Sequence, residues 1–299
     1  MKEISEIYSG INKGVELAPY TTWKIGGPAT YFWEPDVERL PKVFKYCQNN
    51  NIKVYFLGRG SNVLIDSKGL DGLVICTKRT LQHIEVDDEG IITAHSGVPM
   101  PKLSNFASKL GYGGYEYLIG IPGSVGAGIA INAGLSAHGR REIGDVLIDV
   151  ELMDEQGNIS TEKADELALS YRSSNIPNRN LFVLSARFKA TYKASAEDIR
   201  EKTVEHLKER RRKQPLSKPT AGSTFKQPYG GKSAGWYIDQ AGLKGYSVGG
   251  AKISEKHANW IENFDNASCD HVKKLIEIVI AKVEKDFGII LEQEVSLLS

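Results

Sequence analysis

Sulfur is scarce in this chain, with three cysteines and three methionines among 299 residues. Cys47, Cys76 and Cys269 lie far apart and form no C-x-x-C pair, which excludes a disulfide framework and a zinc ribbon. Reduced, mostly buried thiols in a cytoplasmic protein are expected instead. A surplus of one charge is also lacking: 38 Lys and Arg stand against 37 Asp and Glu, a formal net charge of +1. Such a balance leaves no field to gather nucleic acid or anionic lipid. Neither nucleic acid nor an obligate protein partner is expected. The six histidines (His83, His95, His138, His206, His257, His271) show no metal-ligand spacing, so no metal site is expected. Met1 to Gly10 is polar and offers no apolar leader core. Tyr117 to Ala137 carries no charge, but Pro122 and the glycines from Gly120 to Gly134 make it a poor membrane span. A buried, loop-rich cofactor wall fits it better, and no membrane insertion is expected.

What is present reads as strands scattered among single helices, without regular βαβ alternation, and predicts an α+β fold. Apolar runs predict strands over Ala29–Trp33, Val54–Leu57, Leu73–Cys76, His83–Val86, Ile91–Ala94, Val146–Met153 and Leu181–Phe188. Asp87-Asp88-Glu89-Gly90 joins the fourth and fifth as a hairpin. Helical spacing marks Val37–Asn50 and Lys102–Leu110, the latter stopped by Gly111. Ala196–Lys213 predicts a charged helix that Pro215 must end. A last helix shows its stripe in Val272, Leu275, Ile276, Val279, Val283 and Phe287, with Ser268 as N-cap and Gly288 as terminator.

Two glycine-rich segments have the chemistry of phosphate cradles. Gly58-Arg59-Gly60-Ser61-Asn62 follows a strand, and its small residues expose backbone N–H groups. It is not the dinucleotide fingerprint, because Val63 stands at the third glycine position. A tight turn explains it about as well. Gly120-Ile121-Pro122-Gly123-Ser124-Val125-Gly126 is the second, and Pro122 excludes a nucleophile elbow. Gly231-Lys232-Ser233 imitates the end of a Walker loop, but Lys226 occupies the required first glycine. Together the two cradles suggest one long diphosphate cofactor. Arg210-Arg211-Arg212-Lys213 is read equally as a helix end rich in cations or as phosphate recognition.

In order along the chain, these blocks resemble the UDP-N-acetylenolpyruvoylglucosamine reductase family. They are Tyr20 to Ala29, Leu57 to Leu64, Gly120 to Gly126 with Asn132-Ala133-Gly134, and Tyr171-Arg172-Ser173-Ser174. In the last third come Gln214-Pro215, Ala221 to Lys226, Asp239 to Gly245, His257-Ala258-Asn259 and Leu291 to Val295. The short span from Arg172 to Ser223 is similar to the subclass lacking a tyrosine-bearing insertion. The resemblance implies an FAD-binding domain of the vanillyl-alcohol-oxidase type over residues 1–192, in two lobes split near 77. An α+β substrate domain over 193–299 would follow.

The same resemblance implies FAD and NADPH as cofactors. FAD would rest on Gly58, Arg59, Gly60, Ser61, Asn62, Val63, Ile121, Gly123, Ser124, Gly126 and Asn132. Arg172, Ser223 and Glu294 would be catalytic, the first and last holding the substrate carboxylate and Ser223 giving the proton. Lys213, Lys226, Gln227 and His257 match substrate-side positions. Departures are Gln227 for a usual asparagine, Trp260 for a common phenylalanine, Leu135 to His138 after Asn132-Ala133-Gly134, and Ser296 at a commonly basic site. Without the resemblance, Arg172, Ser223 and Glu294 would each pass as structural. Two rival readings keep the fold: an oxidase passing electrons to oxygen, and a flavin- or nucleotide-binding homologue without turnover.

Overall fold

The computed structural model describes residues 3–135 and 140–299. His138 and the Ser136–Ala137 departure lie outside them. The chain divides into two compact units, one of residues 1–13, 31–59 and 72–209, the other of 14–30, 60–71 and 210–299.

The first unit is built on a five-stranded sheet in the order Ile159–Lys163, Leu147–Met153, Phe182–Phe188, Ile92–His95, Ile84–Val86. All four pairings are antiparallel. The expected hairpin closes with the Asp87 N–H donating to Ile91 O at 3.1 Å. Leu147–Met153 alternates imperfectly because both its faces are covered, leaving only Ile148 and Glu151 half-exposed. The helix Met100–Lys109 lays Leu103 and Ala107 into this core beside Tyr115, Tyr117, Leu118 and Ile129. It ends at Leu110, and Gly111 takes the left-handed conformation (φ +71°) of a helix terminator.

A second core in this unit surrounds the helix Leu40–Asn49, whose Leu40, Val43, Phe44 and Cys47 face inward. Phe44, Phe56 and Phe182 pack ring on ring, with centroids 5.0–6.0 Å apart. Val54–Leu57 pairs in parallel with the strand Leu70–Cys76, through Val54 opposite Leu73. All three cysteines are free and buried, as expected, and burial pushes the Cys47 thiol up to about 12 and Cys76 to about 11. Such thiols are inert at neutral pH.

The second unit is held by the helix Cys269–Phe287. Ser268 caps it by accepting from the His271 N–H at 3.2 Å, and Gly288 (φ +67°) terminates it. Its stripe of Val272, Leu275, Ile276, Val279 and Val283 packs on Ile238, Ile253, Ile261 and Trp23. Trp23 is fully buried, and its Nε1–H donates to Ile261 O at 2.8 Å. A three-stranded antiparallel sheet (Ser247–Val248, Ala251–Ile253, Ile261–Asn263) covers this core. Ser296–Leu298 pairs in parallel with Val63–Ile65, so the C-terminal strand braces the segment that follows the first cradle. Ala234–Gln240 is a short helix that the periodicity does not reveal, and its N-cap is Ser233 of the false Walker motif. Among the described residues, no helix is long and apolar enough to cross a membrane.

Candidate active site

Arg59, Gly60, Ser61 and Asn62 leave the strand Val54–Leu57 without forming a helix or a ladder. Their backbone N–H groups find no acceptor among the described residues. Consecutive unpaired amides are costly unless an anion or water meets them, and they make a concave donor surface. Gly60 is obligatory here: its φ is +62°, and a Cβ would run into the Tyr20 carbonyl. Its own carbonyl accepts from the Thr22 N–H at 2.9 Å, tying the Tyr20–Trp23 stretch beneath the loop. The Asn62 amide Nδ2 donates to Glu294 O at 3.2 Å.

Within the first unit, Gly58 touches the second glycine-rich segment. A Cβ on Gly58 would collide with the Ser124 Oγ, and one on Gly126 would lie 2.7 Å from the Ser96 Cβ. The N–H groups of Val125 and Gly126 are already taken by Val98 O and Ser96 O, at 2.8 and 2.9 Å. This second cradle therefore offers the Ser124 hydroxyl rather than a row of amides. Ser124 is 1% exposed, and its Oγ has no partner among the described residues. A buried hydroxyl left unpaired marks a place where a polar ligand belongs. Gly123 is buried and Ile121 half-buried on the same turn.

Asn132 lies nearby in sequence, buried and left-handed (φ +45°). All the hydrogen-bonding capacity of its side-chain nitrogen is used within the protein: Nδ2 donates to Glu142 Oε2 at 2.8 Å and to Ser170 O at 3.0 Å. Its Oδ1 accepts from the Gly144 N–H at 3.1 Å. Ser170 begins the turn that carries Arg172. Ser170 and Ser173 exchange backbone hydrogen bonds of 3.0 and 3.1 Å, and Arg172 sits inside with φ +55°. The guanidinium donates from Nη2 to Gly134 O at 2.6 Å and lies 5.0 Å from the Tyr171 ring centroid.

In the second unit, Ser223 to Lys226 runs antiparallel to Glu292 to Val295. The Glu294 N–H donates to Thr224 O and the Lys226 N–H to Glu292 O, each at 2.8 Å, with Phe225 opposite Gln293. Glu294 thus lies opposite Thr224, on the segment paired with the one that carries Ser223. On the other side Ser223 bridges to Trp260, and the Thr224 N–H donates to Asn259 O at 2.8 Å. The Asn259 side chain then clamps Phe225, accepting from its N–H at 3.0 Å and donating to its carbonyl at 2.8 Å. Ser223 is half-buried, and its hydroxyl makes no hydrogen bond among the described residues.

Lys226 Nζ pairs with Glu292 Oε1 at 2.5 Å. His257 holds its Nδ1 toward the Asn259 N–H at 3.3 Å, which leaves Nε2 as the protonated nitrogen. Burial pulls its pKa below the ordinary value, with Lys244 and Arg210 adding to the fall. Gln227 and Lys213 are exposed, Lys213 at the end of the helix Ala196–Lys213. Among the described residues no group of His, Cys, Asp and Glu is arranged to hold a metal. Asn259 is the functional candidate that residue-by-residue reading passes over: only the non-local ladder reveals what its amide does.

An α+β frame with an amide-lined loop and with glycines that admit close approach fits an FAD-binding oxidoreductase, and residues 28–162 match the model of the FAD binding domain. Residues 214–298 match the model of the UDP-N-acetylenolpyruvoylglucosamine reductase C-terminal domain. The reductase of that name from Agathobacter rectalis is 41% identical over 97% of this chain and 94% of its own length. That from Chlamydia felis is 39% identical over all of this chain and 98% of its own. The crystal structure of the Thermus caldophilus enzyme superposes with a TM-score of 0.79 at 30% identity, covering 97% of this chain and 100% of that one. The chain belongs to the UDP-N-acetylenolpyruvoylglucosamine reductase family.

Proposed function

We propose that the chain reduces the enolpyruvyl ether of UDP-N-acetylglucosamine to UDP-N-acetylmuramate for peptidoglycan precursor synthesis, with NADPH as reductant, FAD as carrier and Ser223 as proton donor. The observation that supports the residue assignment is the pairing of the segment carrying Ser223, its hydroxyl unpartnered, with the segment carrying Glu294.

The residues present fit FAD. The unpaired amides of Arg59, Gly60, Ser61 and Asn62 suit a diphosphate, and the orphaned Ser124 Oγ against Gly58 suits a second polar part of the cofactor. Val63 and Gly126 complete these segments, and Ile121 and Gly123 shape the second turn. When bound, FAD supplies two-electron chemistry, accepting hydride equivalents from NADPH and passing them to the vinyl group.

The protein's part is charge and proton handling. Arg172 binds the substrate carboxylate and stabilises the negative charge that builds on it as the far vinyl carbon is reduced. Glu294 steadies the same enolic group in its protonated form or through a water, because two bare anions would repel. Ser223 delivers a proton to the adjacent carbon. Lys213, Lys226, Gln227 and His257 line the substrate side. In this reading residues 1–192 form the FAD-binding domain, which also supplies Arg172, 193–299 form the substrate domain, and the reaction takes place in the cytoplasm.

An anaerobic visible spectrum tests the whole proposal. Flavin bands should bleach with NADPH and return when the enolpyruvyl substrate is added. Bleaching reversed only by air would replace it with an oxidase or a homologue without turnover.

A further inference from the structure

Arg172 is held in an unfavourable backbone conformation, and the groups that hold it are visible. An arginine at φ +55° crowds its Cβ against the backbone and persists only where its surroundings over-determine it. Three things do so here. The reciprocal Ser170–Ser173 hydrogen bonds close the turn. The Gly134 carbonyl and the Tyr171 ring fix the guanidinium. The third is a buried relay reaching the turn from outside: Asn132 donates to the Ser170 carbonyl, the same oxygen that accepts from Ser173.

Asn132 is itself set by Glu142. The Glu142 carboxylate accepts from Asn132 Nδ2 through Oε2 and from Arg140 Nε through Oε1, at 2.8 Å each. Its side chain is 12% exposed. The Arg140 guanidinium lies 4.9 Å from the Tyr171 ring that Arg172 also uses. Glu142 therefore orients the amide that pins the turn and neutralises the second cation on that ring. It also pairs with Gly134 across a short antiparallel hairpin, the residue whose carbonyl receives Arg172. Glu142 thus reaches Asn132 and Arg140 through its carboxylate and Gly134 through its backbone.

We infer that Glu142 and Asn132 are positioning residues for Arg172, setting its guanidinium for the substrate carboxylate, and that the Asn132 side chain is not a ligand of the flavin. This rests on the reading in which Arg172 binds that carboxylate. With two N–H donors and the carbonyl oxygen all engaged by Glu142, Ser170 and Gly144, the Asn132 amide has no donor left for a cofactor. Loss of the relay lets the guanidinium drift, and misplacement on the order of 1 Å costs about 100-fold in a positioned reaction.

The experiment uses full-length holoenzyme with Asn132→Ala, Glu142→Gln and, as reference, Arg172→Ala. FAD affinity is measured by fluorescence titration, and the two half-reactions by anaerobic stopped flow. Asn132→Ala and Glu142→Gln should slow flavin reoxidation by the enolpyruvyl substrate about 10- to 100-fold and raise its KM. FAD affinity and reduction by NADPH should stay within about two-fold of the parent, since neither depends on Arg172. Glu142→Gln keeps the shape of the side chain, so it reports even where Asn132→Ala folds poorly. Weakened FAD binding, or equal slowing of both half-reactions, would overturn the inference and make Asn132 a cofactor or general structural residue. If Arg172→Ala slows reoxidation and neither relay variant does, the inference fails and the functional reading survives. If Arg172→Ala itself leaves reoxidation intact, the functional reading fails and takes the inference with it.

Discussion

Ser223 and Arg172 are held in different ways. Ser223 lies in a segment paired on both sides by main-chain hydrogen bonds and braced by the Asn259 clamp on Phe225. Arg172 lies in a left-handed turn closed by the Ser170–Ser173 hydrogen bonds, and its long side chain has supports of its own: the Gly134 carbonyl and the Tyr171 ring at its guanidinium, with Asn132 on the flank of the turn. A ladder fixes a short side chain well, because a serine hydroxyl is never far from its own backbone. A long arginine needs its head restrained separately, since fixing the Cα leaves several torsions free. The comparison predicts that chemistry and stability separate cleanly at Ser223 and less cleanly at the residues that brace it.

The largest effect should come from Ser223→Ala. Reoxidation of reduced flavin by the enolpyruvyl substrate should slow by about 10²- to 10⁴-fold, the usual range for a lost general acid. Reduction by NADPH and the thermal midpoint should be unchanged, because the hydroxyl makes no hydrogen bond within the described residues. Equal slowing of both half-reactions would give Ser223 a structural role and dissolve the contrast.

Asn259→Ala should act the other way, on the ladder itself. Both main-chain polar groups of buried Phe225 lose their partner, at a cost of about 2–6 kcal/mol for two unsatisfied groups. Urea unfolding checks the loss, and reoxidation should slow alongside it. A variant of parent stability would mean that the backbone pairing with Glu292–Val295 holds Ser223 unaided.

These two residues also show how far the sequence could be read. The helix Ala196–Lys213 and the capped helix Cys269–Phe287 were legible because their signals are local: a proline beyond one end, a serine and a glycine framing the other. Ile11–Glu16 was not, since its polar INKGVE pattern buries only Ile11. Ala234–Gln240 was too short for its period to show. At the site, the glycines of Gly58–Asn62 announced close approach. Ser223 and Glu294, in contrast, are common residues whose meaning lies in a pairing between distant segments. Only resemblance to a family singled them out. Asn132 was legible as a site residue but not in its partners, because Glu142 and Ser170 reach it through tertiary structure.

Gly58→Ala probes the point where Gly58 meets the second cradle within the first unit. The added methyl meets the Ser124 Oγ, which must move and leave the position it holds for a ligand. FAD affinity should fall about ten-fold, near 1.4 kcal/mol, with little change in the fold of the apoprotein. Undiminished flavin content after purification would mean that Ser124 gives way without consequence, and would remove it from the cofactor site.

The smallest effect is a pH dependence carried by the segment that clamps Ser223. Burial lowers the pKa of His257 below its ordinary 6.5, and Lys244 and Arg210 push it the same way. Between the lowered folded value and 6.5 the unfolded chain binds more protons than the folded one, so stability rises with pH there. The contribution of neutral His257 is complete above about 6.5 and is lost as pH falls through the folded value. His95 is lowered in the same direction, chiefly by burial and then by His83, so the parent protein alone does not isolate the effect. His257→Gln should flatten the slope of the urea midpoint between about pH 5 and 7 without abolishing it, the remainder belonging to His95. An unchanged slope would mean that His257 protonates as freely in the folded chain as in the unfolded one. The Asn259 N–H would then have to release Nδ1 at no cost, and the ladder beside Ser223 would be looser than its hydrogen bonds imply.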